Sequence, residues 1–198
     1  MKVAVTGSIG SGKSTVCGYL LRCGYPVISA DEVNSQLLRE EPVKEHIMKL
    51  LDLEVFSREA VSLAIFRDNQ LRLELNAYLH PLILRRVLDF LEEHKDGLVF
   101  AEVPLLYEAG WETYFDATVA VITDPKIAED RLLKERHILP KEARKRRLKQ
   151  LAQEEKARRS DYTISNNGDI SDLVSKTDRL ISLLLEKENE YNSLRGSL

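Results

Sequence analysis

The chain has 198 residues, 43% of them apolar and 31% charged, which suits one globular domain with a sizeable core, or one domain carrying an insertion. Met1-Lys2 runs straight into a short β-branched stretch and no apolar run reaches the roughly 20 residues of a membrane span, so neither a secretory leader nor a membrane anchor is expected. The net charge of −3 hides an asymmetry: Arg131 to Arg159 holds twelve Lys or Arg against four acids, a local +8 that leaves −11 for the remainder.

A first strand is expected over residues 2–6, followed by Gly7-Ser8-Ile9-Gly10-Ser11-Gly12-Lys13-Ser14-Thr15 and a helix over 13–23. This segment fills each fixed position of a phosphate-binding loop: Gly, four free residues, then Gly-Lys-Ser. Glycines let the backbone close around a phosphate, and the following helix adds its positive N-terminal end. Gly10, Ser11, Gly12, Lys13, Ser14 and Thr15 are thus the candidate nucleotide-binding residues. Lys13 is placed for the β- and γ-phosphates and the Ser14 hydroxyl for magnesium, and the expected ligand is a nucleoside triphosphate. Cys17 and Cys23 have neither zinc nor redox spacing and read as thiols of a reducing compartment, the cytoplasm.

A short second strand at Val27-Ile28 ends at Ser29-Ala30-Asp31. Asp31 either caps a helix starting at Glu32 or orients an acceptor hydroxyl and takes its proton; the two roles are compatible. Helical patterns then follow over 32–40, 42–52, 58–67, 69–79 and 82–95, with Pro42 and Pro81 at helix starts. That stretch exceeds one crossover and is expected to be an inserted helical subdomain, 32–95.

Further strands are expected at 98–102 and 117–122, the latter apolar enough to be buried on both faces. Asp124 before Pro125 reads as the cap of a helix over 125–136, and Glu102, ending its strand, is the better candidate for the surroundings of a metal. A single basic helix over 140–158, a strand at 162–164 and a last helix over 170–190, capped by Asp169 and Asp172, complete the chain. The fold class is therefore α/β: a parallel five-stranded sheet flanked by helices, with ligands at the carboxyl ends of the strands. Most of the basic segment reads as a solvated face, while Arg136, Arg144 and Arg146 are candidates to neutralise phosphate charge on a helical lid, 131–158. No aromatic residue interleaves the cluster, so polyphosphate suits it better than nucleic acid.

The opening Thr6 to Thr15, then Val27-Ile28-Ser29-Ala30-Asp31, resembles that of the dephospho-coenzyme A kinases. The likeness continues at Ser57-Arg58, Phe66, Leu79-His80-Pro81-Leu82-Ile83 and Val103-Pro104-Leu105-Leu106-Tyr107-Glu108. It resumes at Arg131, Arg136, Arg146, Gln150 and Lys156, and at Asp161 to Gly168. The resemblance implies a nucleoside-monophosphate-kinase-like fold and ATP- and Mg2+-dependent phosphorylation of the ribose 3′-hydroxyl of dephospho-coenzyme A, the last step of coenzyme A synthesis. It puts Asp31 in the place of the catalytic base, Gly10 to Thr15 at the ATP phosphates, Arg136 and Arg146 in the lid, and His80 and Glu108 on the coenzyme side. Ser29 stands where the family usually has a second acid. The expected partner is the small-molecule substrate, with neither nucleic acid nor membrane, for a monomer or small homo-oligomer. Two rival readings remain open: another P-loop kinase acting on a nucleotide, shikimate or a sugar acid, against which the His80-Pro81 and Pro104-Leu105-Leu106 segments argue, and a nucleotide-binding scaffold without turnover.

Overall fold

The computed structural model describes residues 1–195, which fold into two compact units: Met1–Ile28 together with the chain from Leu91 onward, and Ser29–Phe90. The first unit is built on a five-stranded sheet of β1 (Lys2–Thr6), β2 (Val27–Ser29), β3 (Val99–Glu102), β4 (Ala117–Ile122) and β5 (Tyr162–Ser165), in the order β2-β3-β1-β4-β5. β1 pairs in parallel with both β3 and β4, and β4 with β5. Val3, Ala4, Val5, Val99, Phe100, Val119 and Val121 are fully buried, so the central strands are covered on both faces, which is why they read as continuous apolar runs. The strand order reverses at β1, and the loop leaving its carboxyl end is therefore at the point where open α/β sheets bind ligands.

Helix α1 (Lys13–Arg22) packs Val16, Cys17 and Leu20 against Leu173, Leu180 and Leu184 of α9 (Ile170–Arg195) in one core with the sheet. Each such buried aliphatic contributes about 1.5–3 kcal/mol. α9 is capped by Asp169 alone, whose carboxylate accepts the Asp172 N–H at 2.9 Å. Asp172, expected to share that role, instead pairs with Lys176 one turn on, at 2.7 Å. The Asp124 carboxylate accepts the Lys126 N–H at 2.8 Å and caps α6 (Pro125–Arg136), with Pro125 in its first turn. The basic stretch forms two helices, α7 (Pro140–Arg147) and α8 (Gln153–Arg159), rather than the single helix expected. The Leu151 N–H donates outward to the Glu108 carboxylate in place of a carbonyl one turn back, which a continuous helix would not allow.

The second unit is helical: α2 (Ala30–Leu37), α3 (Glu41–Leu51), α4 (Arg58–Arg67) and most of α5 (Asn69–Glu93). α5 corrects the expectation of two helices with Pro81 at the start of the second, since Pro81 lies inside one continuous helix. Leu75, Leu79, Ile83 and Val87 recur every fourth residue and are all buried. Burying two of them repays the ~3 kcal/mol that an interior proline costs, so packing overrides the local preference. Pro81 itself is exposed, and Pro81→Ala is expected to raise stability by about 1–2 kcal/mol in urea titration, less than the full helix penalty because the unfolded chain also gains freedom.

Candidate active site

Between β1 and α1 the backbone turns through positive φ at Gly10 (79°) and Gly12 (96°), which only glycine adopts readily. Gly12 is pressed as well as twisted: a Cβ there would lie 2.1 Å from Nδ2 of Asn166. That nitrogen donates to the Ser11 carbonyl at 2.8 Å, bracing the loop from beneath. Asn166 is itself held, its N–H on the Ile122 carbonyl at 2.8 Å and its carbonyl accepting from Thr123 Oγ1 (2.6 Å) and Arg131 (3.0 Å). No side chain caps α1, which leaves the positive end of its backbone to an anion. Lys13 is buried and donates to the Ser8 carbonyl at 3.1 Å, folding its ammonium back over the loop. The hydroxyls of Ser8 and Ser11 are buried and unpartnered within the protein, as suits a cradle built for phosphate oxygens.

Ser14 Oγ donates to Glu102 Oε1 at 3.0 Å. A hydroxyl beside a carboxylate is an all-oxygen donor pair that fits a hard cation such as magnesium. Asp124 is committed to its cap. Asp31 is exposed in the first turn of α2, directly after β2. It does not cap that helix: Ser29 does, its Oγ accepting the Glu32 N–H at 3.5 Å, so the helix starts at Ala30 and the Asp31 carboxylate is spared that duty.

The basic segment divides by partner. Arg144 donates from Nε and an Nη to the two Glu129 oxygens, both at 3.0 Å, and Arg147 donates to the same carboxylate, joining α7 to α6. The hydrogen bonds from Arg144, then those from Arg147, hold the Glu129 carboxyl below the usual carboxylate range. Among the described residues, Arg146 pairs with Glu142 on its own helix, both about half exposed, a class of contact worth 0–1 kcal/mol. Arg136 ends α6, and its side chain lies outside the described part of the structure. Lys156 is fully buried, 2.5 Å from the Pro104 carbonyl and 2.9 Å from Glu108 Oε1. Burial lowers its pKa while Glu108 works against that shift. Glu108 also accepts the Leu151 N–H at 2.8 Å, so both its oxygens are engaged by the root of α8. His80 lies in the middle of α5, half-buried, and burial lowers its pKa.

Gly10 to Thr15, Ser14 with Glu102, Asn166 and the arginine helices are thus gathered in the first unit, whereas Asp31 and His80 belong to the second. Three features are not read from the sequence: the Asn166 brace, the Glu129 anchor and a contact from Gln150 Oε1 to the Ile9 N–H at 3.0 Å. Gln150 and Asn166 both lie in segments that carry the family resemblance, whereas Glu129 lies outside them.

A family model described as dephospho-CoA kinase matches residues 1–172. A curated dephospho-CoA kinase from Protochlamydia amoebophila is 33% identical over 183 residues, covering 87% of this chain and 90% of its own. Among solved structures, a Thermus thermophilus protein superposes with a TM-score of 0.83 at 30% identity, covering 94% of this chain and 97% of that one. A dephospho-CoA kinase from Campylobacter jejuni shares the fold with a TM-score of 0.70 at 22% identity, covering 95% and 100%.

Two substitutions probe this geometry. Gly12→Ala meets both an adverse φ and the Asn166 amide, and is expected to weaken ATP binding more than tenfold in calorimetric titration. Lys156→Ala strands the Glu108 carboxylate and the Pro104 carbonyl, and is expected to cost about 3 kcal/mol in urea titration.

Proposed function

The chain belongs to the dephospho-CoA kinase family, and on that premise we propose how its residues carry out the final step of coenzyme A synthesis. The match over residues 1–172 is the observation that carries this reading. The donor is ATP. The loop backbone from Gly10 to Thr15 and the Lys13 ammonium hold its β- and γ-phosphates, with the Ser8 and Ser11 hydroxyls as further donors. Ser14 and Glu102 would hold magnesium, which would supply positive charge to offset that of the phosphates.

The ribose 3′-oxygen of dephospho-coenzyme A forms a bond to the γ-phosphorus as the bond from that phosphorus to the β,γ-bridging oxygen breaks. Asp31 takes the hydroxyl proton, and ADP leaves with the bridging oxygen. The exposed carboxylate of Asp31, relieved of capping by Ser29, supports this assignment. Arg146 is the lid residue most readily turned to the transferring phosphoryl group, because exchanging its exposed Glu142 partner costs little. Arg136 is assigned to the same lid, 131–158. Arg144 is anchored to Glu129 and serves the lid's own structure. Residues 32–95 serve as the substrate subdomain, where His80 meets the coenzyme side as a neutral imidazole. Glu108 supports that side indirectly, through its hold on Lys156 and Leu151. The free thiols of Cys17 and Cys23 suit the cytoplasm.

The decisive test is ADP release from ATP and magnesium with dephospho-coenzyme A, AMP, shikimate, gluconate or no acceptor, with the product weighed by mass spectrometry. Release only with dephospho-coenzyme A, and one added phosphoryl group on it, is expected; stimulation by a different acceptor alone would overturn the substrate. Asp31→Asn is expected to lower kcat by about 10²–10⁴-fold with ATP affinity within about twofold of the parent.

A further inference from the structure

We propose that Gln150 is a positioning residue that locks the phosphate loop and the arginine-bearing face of α7 into one register. At the carboxyl edge of the sheet, three neighbouring strands, β3, β1 and β4, each send one bond from the loop at their exit to residues 150–153. After β3, Glu108 accepts the Leu151 N–H at 2.8 Å; after β1, Ile9 donates its N–H to Gln150 Oε1 at 3.0 Å; after β4, Thr123 donates its N–H to Gln153 Oε1 at 3.2 Å. The short segment joining α7 to α8 is therefore pinned at three adjacent strand exits on the nucleotide side of the sheet.

Of these three ties only that from Gln150 reaches the phosphate loop itself. A backbone N–H must be met by an acceptor, so the carboxamide oxygen faces Ile9 and both amide hydrogens remain on its other branch. Ile9 sits between Ser8 and Gly10, among the four free residues of the loop; the Ser8 carbonyl side of its peptide plane is held by Lys13 (3.1 Å) and the Ser11 N–H (3.2 Å), and the N–H side by Gln150. Beyond the end of α7 the helical turn continues, with Lys149 N–H on the Arg146 carbonyl (3.2 Å) and Gln150 N–H on the Arg147 carbonyl (3.0 Å). Both bonds run to the third residue back, a turn tighter than an α-helix, so Gln150 stands over Arg147, with Arg146 the next residue back along the chain. Anchoring Gln150 at Ile9 sets where the end of α7, and Arg146 with it, lies against the phosphate loop. Lys156, buried on Pro104 and Glu108, keeps the root of α8 in place while this happens.

This proposal rests on the kinase reading for its kinetic effect and not for its structural one, so two measurements separate them. In the nucleotide-free protein, Gln150→Leu is expected to lower hydrogen-exchange protection of the Ile9 amide at least about tenfold by NMR, while Gln150→Glu, which keeps the acceptor, preserves it. In turnover, Gln150→Leu is expected to lower kcat about tenfold with KM for dephospho-coenzyme A within about twofold and the melting temperature little changed. Unchanged Ile9 protection, or a kcat within about twofold of the parent, would overturn the proposal. So would a loss of kcat that merely follows a fall in melting temperature. Should Gln150→Leu fail to fold, Gln150→Asn, one methylene too short to reach Ile9, takes its place with the same expectations. Failure of the parent enzyme to phosphorylate dephospho-coenzyme A would overturn the reaction, and the exchange measurement alone would then decide the role of Gln150.

Discussion

The nucleotide end of this molecule depends on one contact, the carboxamide of Asn166 against the carbonyl of Ser11. It sits under the left-handed turn at Gly12 and excludes any side chain there. The strand that delivers Asn166, β5, is far away in sequence, so the brace under the phosphate loop comes from the β4–β5 pairing at the other end of the chain. Arg131 and Thr123 then secure Asn166 from the other side, and the Asn167 side chain receives the Asp124 N–H at 2.8 Å. A loop that reads as local in sequence is therefore a product of the complete fold.

The cationic segment shows how burial sorts charges that look equivalent along the chain. Lys156, wholly buried, is tied to a carbonyl and a carboxylate and is part of the framework. Arg144 and Arg147 converge on a Glu129 side chain only about 10% exposed, and they join two helices that have little apolar surface to share. Arg146 and Arg158 make intrahelical pairs in solvent, contacts that salt screens and that water replaces at small cost. A cation that must leave its partner to meet a phosphate belongs to this last group.

Much of this is legible in the sequence, for identifiable reasons. The order of strands and helices follows from apolar runs and from Pro and Gly positions, and the loop from spacing that few other structures require. Asp124 reads as a cap because Pro125 follows it, and the structure shows that bond. Pro81 misleads because the cue for a helix start is local, whereas the buried ladder of Leu75, Leu79, Ile83 and Val87 is held by contacts that sequence does not display. The break after α7 is hidden likewise, since the acceptors and donors that hold residues 150–153 come from three separate strand exits. Ser29 looks like a lost acid and proves to be a helix cap, a role common to Ser and Asp.

The two thiols of α1 are chemically unequal. Cys17 is sealed in the core, where burial, and after it the nearby Glu102 carboxylate, push its pKa up and suppress the reactive thiolate. Cys23 is exposed at the opposite end of the helix from Lys13, about 15 Å along its axis. A maleimide dye would therefore attach at a single place, a helix length from the phosphates. The native chain thus carries its own handle for following nucleotide binding by fluorescence, with no engineered cysteine.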